Sequence, residues 1–123
     1  MICLDTNYLI RGVAEGTEEA RELLAWIKAG ETLITPMLAW FEFICGPVTN
    51  DQQMAMRAFL TEIVPFAEAE AVAAARLFNA IKRKRSHRVD AMIAGTAIAA
   101  KARLATRNRA DFQPFVTHGL LLV

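Results

Sequence analysis

Residues 2–5 read ICLD, three apolar side chains closed by an acid. Taken as a strand, the run places Asp5 at its carboxyl end. Its apolar residues do not alternate with polar ones, which suits a strand covered on both faces in a parallel sheet. Similar short runs return at TLITP (32–36), IVPF (63–66), RLATRN (103–108) and GLLLV (119–123). Helical patterns fill the intervals. NYLIRGVA (7–14) forms a short helix. Thr17, with Glu18 and Glu19 behind it, starts a second. That helix carries Ala20, Leu23, Leu24 and Ile27 at helical spacing, and Gly30 closes it. MLAWFEFICG (37–46) is a helix apolar nearly all round, and DQQMAMRAFLTE (51–62) is another. AEAEAVAAARLFNAIKRKR (67–85) reads as a long helix ending in cations, the sign that suits a helix C-terminus. RVDAMIAGTAIAAKA (88–102) is Ala-rich, and RADFQPF (109–115) is a loop or short helix. The order β-α-α-β-α-α-β-α-α-β-α-β predicts a three-layer α/β/α sandwich around a short parallel sheet. Ligands of such sheets bind beyond the carboxyl ends of the strands.

The 123 residues make one domain, 1–123, with no repeat and no linker. Hydrophobic residues are 54% and charged residues 22%, a balance that excludes a disordered chain. No apolar run is long enough to cross a bilayer, and the N-terminus lacks the basic start of a signal peptide. The two cysteines, Cys3 and Cys45, lie in apolar segments and read as buried, reduced thiols of a cytoplasmic protein. Neither has zinc-ligand spacing to another Cys or a His. The net charge of +1 excludes nothing, but residues 82–88, KRKRSHR, carry six basic or potentially basic side chains among seven. That patch is either a solvated helix end or a surface for phosphate.

Each acid has a plain structural role open to it. Asp5 can cap the next helix, Asp90 can favour a helix dipole, and Asn108 and Asp111 can form a turn. Glu42 is harder to dismiss, because Trp40, Phe41, Phe43 and Ile44 surround it and an unpartnered buried carboxylate costs several kcal/mol. These residues come from separate elements, and Asp5 and the 106–111 segment sit where a parallel α/β fold collects its site. Clustered carboxylates raise one another's pKa. A cation relieves this, and Mg²⁺ or Mn²⁺ suits an all-oxygen site. Such an ion activates water for attack on phosphorus.

LDTN at 4–7, Glu42 in an apolar helix, DAMIAGTA at 90–97 and LATRNRADF at 104–112 together resemble the PIN domain, and most closely VapC-type toxins of toxin–antitoxin pairs. The resemblance spans essentially the whole chain. It implies a Mg²⁺- or Mn²⁺-dependent ribonuclease, a homodimer, and a cognate antitoxin that holds it inactive. By position, Asp5, Glu42 and Asp90 match the family's three most regular acids, with Asp5 and Asp90 the direct metal ligands. Thr6 and Thr106 match the small hydroxyl residues beside them, and Asn7 completes the first motif. Where many members have Asp after "TR", this chain has Asn108, with Asp111 three residues later. Either Asp111 supplies a fourth carboxylate or the site runs with three. Lys82, Arg83, Lys84, Arg85 and Arg88 would then meet RNA phosphates. His87 is not needed by this chemistry, and His118 is structural or exposed. The 37–46 helix has more apolar side chains than one small domain can bury, so part of it is expected to meet the antitoxin or a second protomer.

Three other readings fit less well. A haloacid-dehalogenase-type phosphotransferase wants D-x-D after the first strand, and Asn7 stands in the second position. A response-regulator receiver wants an Asp after its third strand, where IVPF has none. A catalytically weak PIN scaffold that binds RNA or a protein partner leaves the three acids without a purpose.

Overall fold

The computed structural model describes residues 1–123. The elements are β1 (Ile2–Leu4), α1 (Thr6–Gly12), α2 (Glu18–Lys28), β2 (Leu33–Pro36), α3 (Met37–Cys45), α4 (Asn50–Phe59), β3 (Glu62–Val64), α5 (Glu68–Ala80), a 3-10 turn (Arg85–His87), α6 (Arg88–Ala99), β4 (Arg103–Ala105) and α7 (Arg109–Val116). The four strands form one sheet in the order β3-β2-β1-β4. All three pairings are parallel.

Side chains alternate across this sheet and build two cores. Ile2, Leu4, Leu33 and Ala105 pack with Leu9 of α1, Leu23 of α2, Phe43 of α3 and Met56 of α4. Cys3, Ile34, Val64 and Leu104 pack on the other face with Leu77 of α5, Ala94 of α6 and Phe115 of α7. The architecture is therefore an α/β/α sandwich. Successive connections carry the chain outward from β1 to β2 to β3, and the helices then cross faces to deliver β4 on the other side of β1. The direction of winding reverses between β1 and β4. Loops diverge at such a switch point and leave a crevice at the carboxyl edge. Asp5 and Thr106 are the residues that leave these two strands.

Gly95 sets how closely α6 lies on α5. A Cβ there would sit 2.5 Å from the backbone nitrogen of Ala74 and 2.7 Å from its Cα. The bare backbone lets the two helices touch, and this fixes the height of Asp90 in the first turn of α6.

Several expectations are corrected. α5 stops at Ala80 and does not run on into the cations. Lys82 and Arg83 adopt left-handed φ values of 62° and 55°. This conformation costs roughly 1–2 kcal/mol per non-glycine residue and reverses the chain into α6. The segment GLLLV is not a strand. Gly119 turns the chain at φ 108°, and the tail makes a single parallel bridge from Leu122 to Leu104. Cys45 is exposed while Cys3 is buried. Phe43 takes the inward direction of α3, and Cys45 lies two residues, about 200°, further round the helix. Leu24 and Ile27 of α2 face outward, and Glu19 and Leu23 face inward. On α3, Phe41 is 60% exposed, and Met37 and Ile44 also face solvent, so this helix does not lie wholly inside the core.

Candidate active site

Asp5 is buried at the end of β1, and its two oxygens are held by three groups. The Thr6 amide donates to Oδ1 at 2.8 Å. The Thr106 hydroxyl donates to Oδ2 at 2.7 Å, and the Asn7 amide group does so at 3.4 Å. Asp5 thus caps α1, as its plain structural role requires, and the same placement turns it into the crevice. Burial raises its pKa most. The Thr106 and Thr6 hydrogen bonds oppose that rise, and the Glu42 and Asp90 charges add to it.

Glu42 is not buried. Its neighbours Ala39, Trp40 and Phe43 fill the core, while Glu42 points to the crevice and accepts the Thr6 hydroxyl at 2.8 Å. Asp90 is half-buried and lies 3.2 Å from Nδ1 of His87. Its pKa is also raised, chiefly by burial. The His87 hydrogen bond opposes this, and the Asp111 and Glu42 charges reinforce it.

Asp5, Thr6, Asn7, Glu42, Asp90 and Asn108 line one cleft of about 260 Å³, closed at the side by Ile10, Val89 and Ile93. No Lys or Arg is among these lining residues. Asn108, rather than Asp111, occupies the fourth wall. Its backbone N–H donates to the Thr106 hydroxyl at 3.0 Å, which pins the loop beside Asp5. Asp111 lies in the first turn of α7 and outside the lining, and it reaches the site as a charge acting on Asp90. Lys82, Arg83, Lys84, Arg85 and Arg88 are exposed in the turn before α6 or at its start, and none lines the cleft. Arg88 instead borders an apolar groove of about 180 Å³ between α5 and α6, with Phe66, Phe78 and Met92. That groove lacks the convergent polar groups that chemistry needs.

The donor set is anionic and all oxygen, the chemistry that hard divalent cations take. Burial is the main cause of the raised Asp5 and Asp90 pKa values, and the neighbouring carboxylates add to it. The side chains are not gathered around one point. No three His, Cys, Asp or Glu residues converge closely enough to hold an ion. Glu42 is turned to Thr6 and Asp90 to His87 instead.

The chain matches the PIN domain family over residues 2–113. It belongs to the PIN domain family. Among solved structures, this PIN domain is similar to a chain of a toxin–antitoxin complex from Klebsiella pneumoniae, with 27% identity and a TM-score of 0.71 over 91% of this chain and 90% of the other. It also superposes on a chain of VapBC2 from Rickettsia felis bound to a promoter DNA fragment, with 19% identity and a TM-score of 0.73 over 100% and 98% of the two chains. A chain of DNA-bound VapBC from Salmonella typhimurium gives 20% identity and a TM-score of 0.74 over 99% and 96%. The last two likenesses are of fold alone. A search of curated protein sequences finds no match.

Sequence reasoning set His87 aside and passed over Arg107 in this PIN domain. His87 had a local signal, because it stands three residues before Asp90 at the start of a helix. Arg107 had none. Its partners Glu18, Glu19 and Glu22 lie more than eighty residues away in sequence.

Proposed function

We propose that this PIN domain is a metal-dependent endoribonuclease and the toxin of a toxin–antitoxin pair, hydrolysing RNA phosphodiesters until a cognate antitoxin covers it. The observation that carries the reading is the cleft at the carboxyl edge, which Asp5, Glu42 and Asp90 line together with no Lys or Arg among the lining residues. The 27% identity to a chain of a toxin–antitoxin complex supports the toxin assignment.

Asp5, Asp90 and Glu42 would hold Mg²⁺ or Mn²⁺. Such an ion would supply charge neutralisation for these acids and Lewis-acid activation of water at the phosphoryl group. The protein's own contribution is placement. Thr6 and Thr106 fix Asp5, Thr6 fixes Glu42, and Asn108 offers an uncharged carbonyl beside them. A cleft carboxylate would orient the attacking water and take its proton as the water oxygen bonds to phosphorus. The P–O bond to the leaving oxygen breaks in line, and that oxygen takes a proton from solvent. Lys82, Arg83, Lys84, Arg85 and Arg88 give RNA phosphates a countercharge beside the cleft without reading sequence.

The exposed Met37, Phe41 and Ile44 of α3 are the surface we assign to the antitoxin or to a second protomer of a homodimer. No helix is long and apolar enough to cross a membrane. A cytoplasmic site of action fits an RNA substrate. One observation favours a second reading, the catalytically weak scaffold: the acids do not converge on a common point.

The test is RNA cleavage by the purified chain with Mg²⁺, with Mn²⁺ and with EDTA, beside Asp5→Asn. Cutting is expected only with metal, and Asp5→Asn lowers it by about 100-fold or more. An Asp5→Asn protein as active as the wild type contradicts the assignment.

A further inference from the structure

The Arg107 side chain touches nothing in the cleft, yet the residues on either side of it do. Thr106 donates to Asp5, and Asn108 lines the wall. We propose that Arg107 is a positioning residue: it clamps the 106–108 segment to α2 and so holds Thr106 and Asn108 against Asp5. The proposal rests on the nuclease reading above for its effect on turnover, but not for its effect on the loop.

Two halves of the residue act together. The backbone N–H of Arg107 donates to Oδ1 of Asn7 at 3.1 Å, tying the end of β4 to the loop after β1. The guanidinium reaches the other way. Its Nε donates to Glu19 at 3.1 Å, and an Nη donates to Glu22. Glu18 lies 3.4 Å from the same Nη. The guanidinium carbon also stands 5.0 Å from the centre of the Tyr8 ring, a cation–π distance. Tyr8 donates its hydroxyl to Glu22 at 2.7 Å, so the ring itself is held in place.

An exposed ion pair alone would hold a loop weakly. Here the anchor is stiffer. The Glu19 side chain is only 4% exposed, and Arg11 grips the same oxygen at 2.7 Å. A planar guanidinium that divides its donors between two carboxylates and stacks on a ring has little freedom left. Since α2 supplies no residue to the cleft, its acids act on the site only through what they hold. A displacement of about 1 Å in a positioning group is enough to cost turnover.

The test compares Arg107→Ala, Arg107→Lys and Glu22→Gln with Arg103→Ala. Arg103 lies at the other end of β4 and pairs with Glu31 at 2.7 Å, away from the cleft. Two quantities are read: kcat against KM for RNA cleavage, and hydrogen exchange of the Asn108 amide. Arg107→Ala should lower kcat about tenfold or more with KM within about twofold. It should also speed exchange at Asn108 by about tenfold, with Leu104 and Ala105 unchanged. Arg107→Lys and Glu22→Gln should fall between it and the wild type, and they serve if Arg107→Ala does not fold. Arg103→Ala should leave both readouts at wild-type values. Unchanged exchange at Asn108 overturns the proposal. So does a rise in KM at constant kcat, which marks an RNA contact, or an equal loss in Arg103→Ala, which marks general stability. A wild type that cuts no RNA sinks the nuclease reading, and the exchange arm then decides alone whether Arg107 holds the segment.

Discussion

Two groups of acids meet near the carboxyl edge of this sheet, and the chain treats them in opposite ways. Glu18, Glu19 and Glu22 of α2 face Arg107, and Glu19 also holds Arg11. The hydrogen bond from Arg11 is the main reason that the Glu19 pKa falls to about 2; burial opposes it and Arg107 adds to it. Burial works against the charge of Arg107, but its hydrogen bonds to Glu22 and Glu19 prevail and push its pKa up. Asp5, Glu42 and Asp90 have no Arg or Lys beside them in the cleft, and the pKa values of Asp5 and Asp90 are raised. A buried acid that serves the fold is paired within the fold. Acids left together without countercharge weaken the fold, and their placement makes sense when a cation from outside completes them. Counting acids would not have separated the two groups; their partners do.

The largest stability effect should come from breaking the paired group. Glu19→Gln keeps the shape and removes the charge that two guanidiniums share, so unfolding in urea should show a loss of about 2 kcal/mol. A loss below about 0.5 kcal/mol, the range of an ordinary surface change, would mean the pairing is ornamental.

The same residue carries a pH signature. The folded pKa of Glu19, about 2, lies below its ordinary value of 4.5. Its contribution is therefore complete above the ordinary value and is lost as pH falls from 4.5 toward 2. Melting temperature should drop through that window in the wild type and less steeply in Glu19→Gln. Parallel acid limbs in the two proteins would remove Glu19 from the account.

The smallest effect has the opposite sign. Asp5→Asn in metal-free buffer relieves repulsion and the cost of burying a charge; its one remaining oxygen accepts the Thr6 N–H, and the Thr106 hydroxyl turns to accept from the new amide group. Stability at neutral pH should rise by up to about 1 kcal/mol, measured by the same urea titration. Destabilisation would mean that Asp5 is paired after all, and the contrast between the two groups would collapse.

Much of this was legible in the chain. ICLD announced a buried parallel strand with an acid at its end, and that strand lies inside the sheet between β2 and β4. The acids of the cleft lie in short local patterns. Where the reading failed, a distant contact had overruled a local one. Leu24 and Ile27 look like the core face of α2. The helix turns Glu19 inward instead, because two arginines from elsewhere in the chain neutralise it. KRKR looks like a helix end, but packing of α6 on α5 demands a reversal, and two residues accept left-handed backbone to make it. For Glu42, set among apolar neighbours, the local sequence left water, a basic partner and a metal ion all open. Helical geometry sends those neighbours to both sides and leaves the carboxylate in the cleft. Between Asn108 and Asp111 the sequence left the question open; Asn108 lines the cleft and is held there by a backbone hydrogen bond to Thr106, which no spacing rule reports.

The most direct measurement is thermal unfolding of the wild type and of Asp5→Asn, each with EDTA and with increasing Mn²⁺. An ion that binds only the folded protein stabilises it by mass action. The wild type should gain stability with Mn²⁺ and become the more stable of the two, while Asp5→Asn, ahead in EDTA, should not respond. Equal responses in both proteins, or none in the wild type, would contradict the claim that the cleft acids await a cation.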